Sequence, residues 1–250
     1  MSDYGQHGTV VELSSGSTVL TLDRGQYHVE TTPFPITFLR AGRTTAVVAA
    51  TDWNRLDAFD LSTGRLLTER DTTWTKDQPP EHALNYFHGA LRPSPGENWL
   101  LDDGWVWSPV GVPVLIDVAA WLAGEVYATE HGWALSYRDY AWDQPAAWID
   151  DDTVAIQRIG PHDKAMIDGV ELFDAPSGRR IGMFAGPAGM MWAHEGLLYV
   201  SATAGLEVWD PAHGVRTGLV SGFGPVAHNP VSGAFAEMAG DRLRTWTPST

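Results

Sequence analysis

His88, Asp102 and Asp103 are the residues through which this chain can most directly move protons. An imidazole changes charge near neutral pH, and a carboxylate beside it fixes its tautomer and orientation. These three are the candidate catalytic residues. A second set offers surface for a ligand: Trp74, His82, Tyr86, Trp105, His131, Trp133, Tyr140, Trp142 and Trp148. Of the 12 tryptophans, eight lie between residues 74 and 148, so the special chemistry is concentrated rather than spread evenly. Small-molecule sites combine aromatic walls with a few polar groups. An Asp or His inside such a wall has its pKa drawn toward neutrality, which suits isomerisation, cyclisation or elimination.

Most other chemistries find no support. The chain has no cysteine, which removes disulfides, thiolate nucleophiles and Cys-based zinc sites. No His-x-x-x-His pair occurs, and Glu81-His82 and Glu130-His131 lack metal-ligand spacing, so no metal site and no cofactor is expected. There is no Gly-x-Ser-x-Gly elbow, and Ser221-Gly222-Phe223-Gly224 reads as a loop. The Gly-rich stretch 182–189 is not set between a strand and a helix as a dinucleotide site requires. Asp150, Asp151 and Asp152 read as a solvated turn, without the ordered spacing of a calcium loop.

Charge narrows the partners. Lys plus Arg is 16 and Asp plus Glu is 31, a formal charge of −15. Such a surface argues against nucleic acid and against anionic membranes. The first residues carry neither a basic nor an apolar region of a signal peptide, and no apolar run approaches the roughly 20 residues of a membrane span. The expectation is a soluble, cytoplasmic protein whose partner is a small molecule or peptide. Oligomeric state is not legible.

The elements that must hold these residues are strands. Leu56 to Leu67, Val170 to Ile181 and Leu206 to Val215 share one pattern. Each is a period-two strand ending in Asp, then a tight turn with Gly at its end and a second strand. Asp caps the turn amides and Gly supplies the positive φ. A further strand precedes each such hairpin, and a short innermost strand precedes that. The innermost strands are read at Pro35–Arg40, Phe87–Arg92, Ala146–Asp150, Met190–Ala193 and Pro225–His228. Val118 to Ala123 is read as one helical turn.

Five such units predict an all-β, five-bladed β-propeller, a single domain over residues 1–250. The fifth unit is one strand short, and the N-terminal strand–turn–strand over 9–20 is expected to supply it. Six blades is the alternative count, with that hairpin starting its own blade; a two-layer sandwich is the alternative fold. Through Ala58-Phe59-Asp60, Leu172-Phe173-Asp174 and Val208-Trp209-Asp210 the chain resembles the WD-repeat and quinoprotein-like propellers, at the level of architecture. It departs from them in lacking the Gly-His opening, with only reversed echoes such as His88-Gly89.

That resemblance implies a site on the face shared by two kinds of link: second to third strand, and outer to next inner strand. Two long loops, 71–86 and 125–145, are assigned to that face. His88 and His228, at inner strands, are read either as functional or as polar lining of a central channel. Some five-bladed propellers are glycoside hydrolases, so Asp52, Asp102 or Asp103, and Glu130 form a possible carboxylate set. The reading that follows is a binding propeller with an aromatic-rich pocket. The alternative is a cofactor-free acid–base enzyme (hydrolase, isomerase, lyase or cyclase), and a third is a purely structural partner protein.

Overall fold

Alternating apolar residues become strands, and nearly all regular structure is antiparallel sheet. The computed structural model describes residues 4–71, 82 and 84–248. The chain divides into two compact units, Met1–Asp143 and Gln144–Thr250.

In the first unit, β1 (His7–Val11) and β2 (Thr18–Asp23) pair as a two-stranded hairpin. A three-stranded sheet follows from β3 (Ile36–Ala41), β4 (Thr44–Asp52) and β5 (Arg55–Asp60). Next come β6 (Phe87–Pro93), β7 (Trp99–Val106) and β8 (Val110–Asp117). The helix α1 (Val118–Ala123) starts at Asp117, whose Oδ1 accepts from Ala120 N at 2.9 Å.

Part of the segment 125–145, expected as loop, is sheet. β9 (Trp133–Ala134) and β10 (Arg138–Asp139) both pair with β8 and serve as a broken outer strand of that sheet. The cause is the free edge of β8, whose backbone groups need partners.

Strand β4 explains where the core lies. Ala46 to Ala50 are all buried, although neighbours on a strand face opposite ways. Val48 and Ala50 pack with Leu56, Leu100, Ile116 and Trp121, filling the space between the two sheets. Val47 and Ala49 pack instead with Val10 and Leu22 of the N-terminal hairpin. The N-terminal strands thus pair with each other and cover the second face of β4.

In the second unit, one sheet runs β11 (Ala146–Trp148), β12 (Thr153–Ile159), β13 (Ile167–Asp174) and β14 (Arg179–Ala185). The next runs β15 (Met190–His194), β16 (Leu197–Ala202), β17 (Gly205–Asp210) and β18 (Val215–Ser221). The last holds β19 (Ala227–His228), β20 (Phe235–Ala239) and β21 (Arg242–Trp246). The five meandering sheets, two in the first unit and three in the second, are blades of β-propeller type, and their first strands fall where the repeat placed them.

The turn chemistry is as expected. Asp60 Oδ1 accepts from Ser62 N at 2.9 Å and Thr63 N at 3.0 Å, and Asp210 Oδ1 from Ala212 N at 2.9 Å. The closing Gly64, Gly178 and Gly214 have φ of 68°, 64° and 64°. Asp150 likewise caps Asp152 N and Thr153 N, at 2.9 and 2.7 Å, in the acidic turn.

A repeated ion pair was not foreseen. In all three sheets of the second unit a buried Glu on the last strand but one meets a half-exposed Arg on the last strand. These are Glu171 with Arg180, Glu207 with Arg216 at 2.7 Å, and Glu237 with Arg244 at 2.8 Å. Each Arg lies on the edge strand of its sheet, so the pair fixes the edge register.

Candidate functional site

The first unit brings rings from five segments into one cluster. The β4–β5 turn gives Trp53, the end of β7 and its turn give Trp105 and Trp107, and the start of β6 gives Phe87. The link from β2 to β3 gives Tyr27 and His28, and the segment before β11 gives Trp142. Phe87 and Trp105 stack at 4.3 Å, and Trp105 and Trp142 at 5.2 Å. Trp53 lies 4.7 Å from Phe87, Trp107 5.1 Å from Trp105 and 4.8 Å from His28, and Tyr27 5.4 Å from Trp53. Phe87 and Trp105 are each 2% exposed, while Tyr27 and Trp107 are 49% and 46% exposed. The cluster therefore has a buried base and an open top. Its rings come from second-to-third strand turns and from links entering inner strands, the two kinds of segment expected to share a face.

Arg24 shapes the link that carries Tyr27 and His28. Its Nε donates to Gly5 O, one Nη to Thr32 Oγ1 and Pro33 O, and the other to Val29 O and Thr32 O, at 2.8 to 3.3 Å. All five guanidinium N–H groups are thus engaged within or beside the link. Trp142 Nε1 donates to Thr31 O at 3.1 Å and ties the segment before β11 to the same link.

Beneath the rings lies a buried pair. His88 Nδ1 is 2.6 Å from Asp102 Oδ2, with both side chains 1% exposed. Asp102 Oδ1 accepts from Gly89 N at 2.9 Å. A carboxylate only accepts, so Nδ1 carries the proton. His88 Nε2 has no hydrogen-bond partner among the described residues. His88 lines a cavity of about 10 Å³ together with Arg24, Tyr27, Thr32, Asp52 and Trp53, room for about one water. The approach of β6 to β7 needs glycine at 89, where a Cβ would lie 1.9 Å from Asp103 O.

Asp103 does not join this pair. It follows Asp102 on a strand, so its side chain leaves from the other face, where Arg92 Nη1 lies 4.0 Å away. Tyr86 is part of the scaffold. Its hydroxyl lies 3.0 Å from Asp102 O and 2.9 Å from Val112 O, and accepts from Gly104 N at 2.8 Å. Burial pushes its pKa well above the usual 10, and the charges of Asp102 and Asp103 add to the rise.

The other expected residues fall in several places. His82 Nδ1 and His131 Nε2 are 3.0 Å apart, with the His82 ring tilted against that of Tyr127 at 3.9 Å. Trp133 lies on β9 against Trp99, 5.3 Å away, at the opposite end of β7 from Trp105. Tyr140 is exposed. Trp148 is buried on β11 of the second unit. Trp74 lies outside the described residues. Of the nine expected ligand contacts, Trp105 and Trp142 are in the ring cluster. Tyr27, His28, Trp53, Phe87 and Trp107 were missed, since they are spread over four segments with no local motif.

The proposed carboxylate set divides too. Asp52 is exposed and lines the cavity with His88. Glu130 Oε1 accepts from Arg70 Nη2 at 2.6 Å and Nε at 3.0 Å, and its Oε2 from Thr129 at 2.9 Å. Arg70 also holds Asp57 at 2.7 Å. Burial opposes the charge on Asp57, but hydrogen bonds from Arg55 and Thr51 and the charges of Arg55 and Arg70 hold its pKa below the usual carboxylate value. This network clamps 129–130 to β5 and engages both carboxylate oxygens of Glu130 within the fold. Among the described residues no group of three or more His, Asp and Glu is gathered as for a metal ion, and no helix is long and apolar enough to cross a membrane. No family model and no curated protein matches the chain.

Proposed function

We propose that the protein is a binding module, taking a small molecule or a peptide on the aromatic platform formed by Tyr27, His28, Trp53, Trp107 and Trp142. The reading takes residues 1–250 as one propeller domain. The observation that carries it is the open ring surface seated on the buried Phe87–Trp105 stack. Exposed aromatic rings without a role are costly to leave in water, and rigidly backed ones bind with little loss of side-chain freedom. A fragment screen tests it. Trp107→Ala should weaken the binding of hits about tenfold or more while leaving thermal stability nearly unchanged, because Trp107 is 46% exposed. Equal binding by Trp107→Ala and Tyr27→Ala would overturn the assignment of the platform.

A second reading, a cofactor-free acid–base enzyme, is favoured by one observation: His88 is oriented by Asp102 and keeps Nε2 unpartnered. In it, Nε2 is the base, Asp102 is the positioning residue, and Asp103 has no role. Its weakness is access, since His88 is 2% exposed. Turnover of any platform ligand, lost in His88→Gln, would decide for it.

A further inference from the structure

We propose that the platform's ligand is an organic cation, a small alkylammonium or guanidinium compound. The inference rests on the platform reading and adds the ligand's charge.

Three features point the same way. The faces of Trp53, Trp107 and Tyr27 carry the negative side of the ring quadrupole, which attracts a cation placed over them. Carboxylates stand beside those rings. Asp52 accepts from the backbone N of Trp53 at 2.7 Å, and Oδ1 of Asp52 would lie 3.8 Å from a Cβ at position 25, two residues before Tyr27. Glu30, two residues beyond His28, has a side chain 71% exposed. The nearby basic groups are used within the fold. Arg24 is buried with all five N–H groups engaged, and Arg55 is paired with Asp57 at 2.7 Å. No Lys or other Arg occurs in 24–34, 52–54, 105–108 or 140–143. The formal charge of −15 adds a long-range attraction for cations and repels anions.

The test titrates the full chain with choline and with 3,3-dimethylbutanol, its neutral isostere, following tryptophan fluorescence and heat. A capped tripeptide with one central arginine is the third arm. Choline should bind at least about tenfold more tightly than the isostere. Trp53→Ala, Trp107→Ala and Asp52→Asn should each weaken choline about fivefold, whereas Trp133→Ala should not. Tighter binding of the tripeptide than of choline assigns the cation to a peptide partner, and weaker binding to a free small molecule. Equal binding of choline and its isostere overturns the cation while leaving the platform standing. No binding of either cation, with neutral fragments bound in a Trp107-dependent manner, has the same meaning. If nothing of any class binds in a Trp107-dependent manner, both readings fall.

Discussion

His88 gives one ring nitrogen to Asp102 at 2.6 Å and leaves the other without a partner, in a side chain 1% exposed. Buried polar groups are nearly always satisfied, so an orphan here marks either a functional position or the cost of a fixed geometry. Asp102 also accepts from Gly89 N. Asp102→Asn would present an NH2 group to one of two donors. We expect a loss of about 1–3 kcal/mol in unfolding free energy by urea titration, with an unchanged m-value. An unchanged midpoint would mean that the pair does not hold β6 to β7.

Arg24→Lys tests how the platform is held. Lysine has three donors where arginine has five, and they do not fan out in a plane. At least two of the five oxygens now engaged by Arg24 would lose their partner. Amide exchange across 25–33 should speed up, and ligand affinity should fall although no contact residue has changed. Protection as in the native protein would contradict the role given to Arg24.

Arg70 sits between Asp57 and Glu130, with all three side chains 3% exposed or less. Removing the central charge leaves two buried carboxylates facing each other. Arg70→Ala should cost about 3–5 kcal/mol. Arg55→Ala should cost less, since Arg55 is the more exposed partner and Asp57 retains Arg70. Thermal unfolding of both variants gives the comparison; a larger loss for Arg55→Ala would reverse the assignment.

His228 predicts a pH response in the second unit. Burial first, and then the charge of His194, hold its pKa below the usual 6.5. Its ring stacks on Phe235 at 4.4 Å. The unfolded chain therefore takes up a proton at this residue at a higher pH than the folded chain. Stability should fall as pH drops below about 6.5 and level off once the folded form also protonates. His228→Phe should flatten that slope. A slope of equal size in this variant would place its source in another group.

Much of the fold was legible because its signals are local. An Asp that caps a turn and a Gly with positive φ lie within five residues of each other, as in Asp60 to Gly64. The first strands of all five sheets were readable from short alternating runs. What was not legible depends on partners distant in sequence. The outer strand role of Trp133–Ala134 and Arg138–Asp139 is set by the free edge of β8. Arg24 resembles any turn arginine until five carbonyl and hydroxyl oxygens surround it. The site shows the same division. His88 and Asp102 stood out by chemical type, and Trp105 and Trp142 by aromatic density. Tyr27, Trp53 and Trp107 are isolated in sequence and become a surface only when five segments meet. Trp133 had the right composition around it and the wrong end of the strand.

The most direct measurement is the indole N–H spectrum of the protein, assigned by single Trp→Phe variants and recorded during a ligand titration. The platform account predicts that shifts concentrate on Trp53, Trp105, Trp107 and Trp142, while Trp99, Trp121 and Trp133 stay in place. Shifts confined to Trp99 and Trp133, or to the tryptophans of the second unit, would contradict it and move the binding site elsewhere.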